Sequence, residues 1–378
     1  MRKIIDATLA TLEAEGNLRR VPADAAGCGR VDLSSNDYLG LAERVDLRRD
    51  FFAEFDCTAR DMAMSASASR LLAARQHEAE ALEALIQEAY GRPALLFNSG
   101  YHANTGIIGA LGAIKGTYIL ADKLVHASII DGIRLSGAPF ARFRHNDYAH
   151  LERLAEKAAA EGYRLLIIAE SVYSMDGDCS DVEALLDVRD RYEGAMLYID
   201  EAHAVGVEGP AGLGLAHEAE RRGRVADVII GTFGKALASV GAYAVVDAPV
   251  REFLVNRARS FIFSTSLPPV NLKWSRFMFR TAMGADTLRQ QLATNAQALA
   301  AILRPFGGTS RGHIQPLVVG SPQRAVALSA GLKEAGFDVL PIRVPTVPPG
   351  TDRLRFSLSA GLTPDCFAGL GDALAKLI

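Results

Sequence analysis

Lys235 stands in the stretch GTFGKALAS, residues 231–239, directly after the apolar run VADVII. Its neighbours are small: Gly234 before it, Ala236 and Ala238 after it. A surface lysine needs no such neighbours, whereas an amine that must approach a bound molecule closely does. Asp200 and His203, in YIDEAHAVG, follow another apolar run. A carboxylate there is costly unless a cation meets it, or it serves as a helix N-cap. Ser171, in AESVYSMDGD, and Thr232, in GTFGK, hold hydroxyls at comparable places. His126, in DKLVHASIIDG, precedes a predicted helix, where a lone histidine is as readily structural as functional. Gly100, in FNSGYHANTG, opens another predicted helix. Free backbone N–H groups there can meet an anion, or can simply make a strand–helix turn.

The elements that must position these side chains are legible as well. ALLF (94–97), TYIL (117–120), LLIIA (165–169), AMLYI (195–199), DVII (227–230) and YAVV (243–246) are apolar without alternation. Such runs suit strands buried on both faces of a mostly parallel sheet. HLERLAEKAAAEG and DVEALLDVRDRYEG read as intervening helices, each ending in glycine. The alternation predicts an α/β fold with a doubly wound sheet, whose ligands sit beyond the carboxyl ends of its strands. After about residue 270 the pattern changes. Two helical segments, PPVNLKWSRFMFRTAM and LRQQLATNAQALAAILRPFG, precede short strands in IQPLVVG, FDVLPIRV and RLRFSLS. We therefore expect an N-terminal segment (1–44), a large domain (45–270) and a smaller C-terminal α+β domain (271–378). PIRVPTVPPGTDR reads as a Pro-rich loop.

Composition narrows the function classes. The chain has 378 residues, 49% of them hydrophobic, and a net charge of −3. That charge gives no electrostatic reason to expect nucleic acid or an anionic membrane as partner. Cys28, Cys57, Cys179 and Cys366 are scattered without a CxxC pair, so neither a disulfide framework nor a metal site is expected. A cytoplasmic location is the simplest expectation. The first twenty residues carry Asp6, Glu13 and Glu15 among Ile5, Leu9 and Leu12, an amphipathic helix rather than a signal peptide. No apolar run approaches the roughly 20 residues that a membrane span takes.

An amine, a carboxylate at a strand end, two imidazoles, hydroxyls and an anion cradle together fit pyridoxal 5′-phosphate (PLP). That cofactor needs an amine for its aldehyde, a carboxylate for its ring nitrogen and donors for its phosphate. LSSNDYLGLA, FNSGYHANTG, DKLVHASIIDG, ESVYSMDGD, YIDEAHAVG, GTFGKALAS, STSLPP and RLRFSLSA, in this order from about Leu33 to Ala360, resemble the α-oxoamine synthases. These are fold-type I PLP-dependent transferases. The resemblance implies that Lys235 carries the cofactor and then acts as base at the substrate α-carbon. It implies that Asp200 pairs with the ring nitrogen and His126 stacks on the ring. His203 and Ser171 would lie near the ring oxygen. Thr232 and the Gly100–Tyr101 backbone would hold the phosphate. Ser264 and Thr265 would reach it from the partner subunit of a homodimer, and Arg355 with Asn36 would bind the amino-acid carboxylate.

The branch resembled most condenses L-alanine with a pimeloyl thioester, carried on CoA or acyl carrier protein, with loss of carbon dioxide. Other branches use glycine or serine with other acyl thioesters. The glycine-using ligase branch shows DDSHA where this chain has DEAHA. A non-catalytic subunit of the same fold, or a binding protein without cofactor, are the remaining alternatives. Three departures fall at the expected substrate mouth. SASASR (65–70) stands where many members have a GSGGSR-like loop, His77 is displaced by one position, and Leu362 stands where many have histidine.

Overall fold

The computed structural model describes residues 1–21, 29–56, 58–59, 62–73 and 76–378. Cys28 and Cys57 lie outside the described residues. The chain forms two compact units. The larger holds Leu39–Tyr173 and Cys179–Asp286; the smaller holds Met1–Tyr38, Ser174–Asp178 and Thr287–Ile378. This division and the expected boundary at residue 270 differ by the helix Pro269–Met283. That helix packs on the helix His77–Tyr90 inside the larger unit.

A seven-stranded sheet is the centre of the larger unit. Its spatial order is Ala94–Phe97, Ala242–Val246, Val228–Thr232, Met196–Asp200, Arg164–Glu170, Thr117–Asp122, Phe140–Phe143. All six apolar runs are strands. Leu165 to Ala169 and Leu197 to Ile199 are almost wholly inaccessible, as covered sheet faces require. Ala242–Val246 runs antiparallel to both neighbours. The short link from Thr232 to Ala242 explains this, since a parallel crossover needs a dozen or more residues. The edge strand Phe140–Phe143 escaped the reading because only Phe143 is buried, so FARF carries no continuous apolar signal.

Helix Gly100–Gly112 covers the sheet and packs closely on helix Ala127–Ser136. Gly132 permits that approach. A Cβ there would lie 2.9 Å from the Asn104 carbonyl oxygen and 3.0 Å from the Ile108 Cβ. The pair shares an apolar core with the sheet, including Ile107, Ile108, Ile129, Ile133, Ile168 and Ile230. Among the described residues no helix is long and apolar enough to cross a membrane.

The smaller unit holds a three-stranded antiparallel sheet of Leu340–Ile342, Arg353–Ser357 and Ile314–Val318. FDVLPIRV splits into two short strands, and Phe337–Asp338 pairs instead with Val31–Asp32. The N-terminal helix runs Arg2–Ala14 and buries none of its residues.

Candidate active site

Because five strands run parallel, their carboxyl ends open on one edge of the sheet. Beyond that edge lies a cavity of about 170 Å³, lined by Gly100, Tyr101, Asn104, His126, Ser128, Glu170, Asp200, Ala202, His203, Thr232 and Lys235. Seven of the residues singled out from sequence thus converge: Gly100, Tyr101, His126, Asp200, His203, Thr232 and Lys235.

Lys235 Nζ lies 2.7 Å from His203 Nε2. The small residues around the lysine serve two ends. Gly234 is exposed, and a Cβ there would stand 3.6 Å from Thr232 Oγ1. Ala236 is buried and faces Gly206, a left-handed residue (φ +88°) whose added Cβ would come within 2.6 Å of the Ala236 Cβ. Ala236 is therefore small because another loop packs against it.

Asp200 ends its strand and is 5% exposed. It caps no helix. Its Oδ1 accepts from the Ala202 N–H at 2.9 Å and its Oδ2 from Asn104 Nδ2 at 2.7 Å. Two donors and no hydroxyl partner suit a carboxylate acting only as acceptor. Glu170 sits opposite it in register on the neighbouring strand, 3% exposed, and accepts the His126 N–H. Burial, and next the Asp200 charge, push the Glu170 carboxyl well above the usual range, which favours its neutral form.

His126 is the N-cap of helix Ala127–Ser136. Its Nδ1 meets Ser128 Oγ at 2.7 Å and the Ser128 N–H at 3.3 Å. A backbone donor at Nδ1 makes that nitrogen an acceptor, which assigns the ring proton to Nε2. Burial lowers the His126 pKa, favouring this neutral ring.

Helix Gly100–Gly112 begins with Ser99 as N-cap, whose hydroxyl accepts the His102 N–H. Gly100 has nothing within 4 Å of where a Cβ would stand. Gly100 and Tyr101, the first two residues of this thirteen-residue helix, thus line the cavity with the helix dipole behind them. Thr232 Oγ1 donates to the Gly241 carbonyl and accepts the Gly234 N–H. Amine, carboxylate, helix N-terminus and hydroxyl are the donor set that PLP requires, so the cavity residues fit this cofactor. Among the described residues no cluster suits a metal ion.

Ser171 does not line the cavity. Its hydroxyl donates to Glu201 Oε2 at 2.5 Å, and Glu201 in turn accepts from the N–H groups of Leu215 and Ala216. Burial raises the Glu201 carboxyl from 4.5 to about 7. Folded protein then holds a proton that the unfolded chain has released, so stability falls as pH rises from about 4.5 to about 7. The loss attributable to Glu201 is about 3 kcal/mol. Denaturant unfolding of parent and Glu201→Gln protein across that window should show the parent losing this much relative to the variant; parallel curves would refute it.

Ser264 and Thr265 also lie away from the cavity. The Thr265 carbonyl accepts from Asn98 Nδ2 at 2.6 Å, and Thr265 bridges Ser69. In the SASASR loop Ser67 is left-handed, with φ +57°, at a position where many α-oxoamine synthases carry glycine. Arg70 pairs with Glu83. His77 begins a helix with its side chain exposed, and the Leu362 carbonyl accepts from Asn295.

In the smaller unit Arg355 and Asn36 do meet. Arg355 is 3% exposed; it donates to the Ser174 carbonyl at 2.5 Å, Ser357 Oγ at 2.6 Å, Asn36 Oδ1 at 3.1 Å and Tyr38 OH at 3.4 Å. Burial pushes the Tyr38 phenol up to about 12 despite Arg355, so it is neutral. A buried guanidinium among neutral acceptors is suited to an anionic ligand.

Asn104 and Glu170 were missed in the sequence. Glu170 ends the run LLIIA in the way Asp200 ends AMLYI, and that parallel was available. Asn104 is one turn beyond Gly100, the lone polar side chain among the buried residues of its helix.

The chain matches the class I and II aminotransferase family over residues 29–373 and belongs to it, with the architecture of fold-type I PLP transferases. Within that class it is an α-oxoamine synthase-like chain. It is 46% identical over 370 residues to the 8-amino-7-oxononanoate synthase of Chlorobaculum parvum, covering 96% of this chain and 93% of the relative. Among solved structures, a serine palmitoyltransferase variant from S. paucimobilis with bound PLP–myriocin aldimine superposes with a TM-score of 0.86 at 28% identity, covering 99% and 96% of the two chains. The 8-amino-7-oxononanoate synthase of Francisella tularensis gives 0.74 at 25% identity, covering 93% and 97%.

Proposed function

We propose that the protein catalyses the 8-amino-7-oxononanoate synthase reaction of biotin biosynthesis. L-alanine and a pimeloyl thioester, on CoA or acyl carrier protein, give 8-amino-7-oxononanoate, carbon dioxide and the free thiol. The observation that carries this reading is the 46% identity over 96% of the chain to a relative of that name. Bound PLP supplies an aldehyde for the amino acid's amine and a ring that takes up the electron pair left at the α-carbon.

The chain's own residues do the rest. Lys235 anchors the cofactor and moves the α-proton at its Nζ, with His203 hydrogen-bonded to that nitrogen. Asp200 is the anion for the ring nitrogen, and the neutral His126 ring stacks on the cofactor. The Gly100 and Tyr101 N–H groups and Thr232 take the phosphate. Arg355, with Asn36, takes the alanine carboxylate. Ser264 and Thr265, which line no part of their own chain's cavity, serve the phosphate across a homodimer. The scattered cysteines agree with a cytoplasmic setting.

A second reading has the solved structures in its favour: both the TM-score and the identity to the serine palmitoyltransferase exceed those to the Francisella synthase. Backbone superposition reports fold, and against it stands the 46% identity to the Chlorobaculum parvum synthase, well above the 28% to the serine palmitoyltransferase. Steady-state turnover decides. Alanine, glycine and serine are crossed with pimeloyl, acetyl, succinyl and palmitoyl thioesters. We expect alanine with pimeloyl thioester to give the highest kcat/KM; a serine–palmitoyl optimum would replace the proposal by the second reading.

A further inference from the structure

We propose that Asn104, held in one orientation by Tyr198, is the positioning residue for the Asp200 carboxylate and, through Ser128, for the His126 imidazole. The inference rests on the PLP reading of the cavity. Asparagine is a poor helix former, by several tenths of a kcal/mol relative to alanine, so a buried one inside a helix needs a reason. Asn104 is 2% exposed and its amide makes three short bonds. The Tyr198 hydroxyl donates to Oδ1 at 2.5 Å, while Nδ2 donates to Asp200 Oδ2 at 2.7 Å and to Ser128 Oγ at 2.9 Å.

Tyr198 decides which way the amide faces. It is fully buried, and burial holds its phenol far above the ordinary range, so it keeps its proton and acts as donor. The oxygen end of the amide must therefore face Tyr198. Reversing the amide would set its oxygen against the Asp200 carboxylate, acceptor against acceptor, and its N–H₂ against the phenol proton. Both amide hydrogens are thus directed, one to Asp200 and one to Ser128. With Asn104 donating to it, Ser128 Oγ has its own proton left for His126 Nδ1. One amide therefore fixes an anion and a neutral imidazole together. The close helix contact at Gly132 holds Asn104 and Ser128 within reach.

Removing the amide leaves Asp200 Oδ2 buried without its donor, and the carboxylate no longer held in one position for the ring nitrogen. The consequence is read at the ring nitrogen. Holoprotein is made with PLP carrying nitrogen-15 in the ring, and the ring-nitrogen chemical shift reports its protonation. At about pH 8 we expect a protonated ring nitrogen in the parent. Asn104→Leu should lower the ratio of protonated to unprotonated nitrogen at least tenfold. Tyr198→Phe, which removes one oxygen from a filled site, should lower it in the same direction by less. Both variants should lose kcat with little change in KM for alanine, since neither residue is placed at the alanine carboxylate. If Asn104→Leu fails to fold, Tyr198→Phe decides alone. An unchanged ratio in the folded variants overturns the positioning role while leaving the cofactor reading intact. Absence of any bound-ring signal in the parent overturns the cofactor reading, and this inference with it.

Discussion

Lys235→Ala protein should fold, retain its sheet, and turn over alanine at least about ten thousand-fold more slowly than the parent. That loss corresponds to about 5 kcal/mol or more of barrier. It is large because one amine has two roles, anchoring the cofactor and moving the α-proton, and no neighbour replaces it. His203 is within 2.7 Å of Lys235 Nζ, yet an imidazole cannot serve as the anchoring primary amine. The fold should survive because the lysine is only partly buried, while Phe233, Ala236 and Leu237 around it carry the packing. The check is twofold. Circular dichroism and melting establish that the variant is folded. Borohydride trapping of the parent with its cofactor, followed by peptide mapping, should put the label on Lys235. A label on Lys273, a buried lysine, or substantial turnover by folded Lys235→Ala, would remove Lys235 from its assigned role.

The sheet was legible because its strands are covered on both faces. Burial of that kind forces uninterrupted apolar runs, and LLIIA or YAVV need no partner to be recognised. Strand direction was not so marked. Ala242–Val246 is as apolar as its parallel neighbours, and only the short link after Thr232 reveals its reversal. Phe140–Phe143 lies at an edge, where one side faces water and the signal fades. Strand-end chemistry was legible for Lys235, Asp200 and His126 because each follows an apolar run or opens a helix. Ser171 satisfied the same rule and yet turns to Glu201, since alternate residues at a strand end point to opposite faces. Asn104 was out of reach for another reason. Its role depends on a phenol ninety-four residues away, brought beneath it by the sheet.

Asp200→Asn is the change that separates shape from charge at the ring nitrogen. The carboxylate lies at the end of a central strand, 5% exposed, with one oxygen on the Ala202 N–H and the other on Asn104. An asparagine keeps the outline and the volume. Its amide would still present N–H to N–H on one side, so one existing bond is lost in addition to the charge. A pyridine nitrogen is weakly basic and needs an opposite charge beside it to stay protonated. Glu170 is poorly suited to supply that charge, because burial and the neighbouring Asp200 both push its carboxyl upward and disfavour its ionised form. Once Asp200 is neutralised, the Asp200 charge no longer opposes ionisation of Glu170, but desolvation, the largest cause of its raised value, remains. We therefore expect no substitute anion. Removal of the alanine α-proton should slow by about one hundred- to ten thousand-fold, or about 3–5 kcal/mol. Cofactor retention should change much less, since Lys235, Thr232 and the helix N-terminus are untouched. The measurement is exchange of the L-alanine α-hydrogen with deuterated solvent, followed by proton NMR without the acyl thioester. Retention of the cofactor by the same sample is checked by gel filtration. Parent-rate exchange in cofactor-loaded Asp200→Asn protein would show that the charge of Asp200 is not what the ring nitrogen requires. The buried carboxylate would then be left with a structural role, tying the Ala202 turn to the helix that carries Asn104.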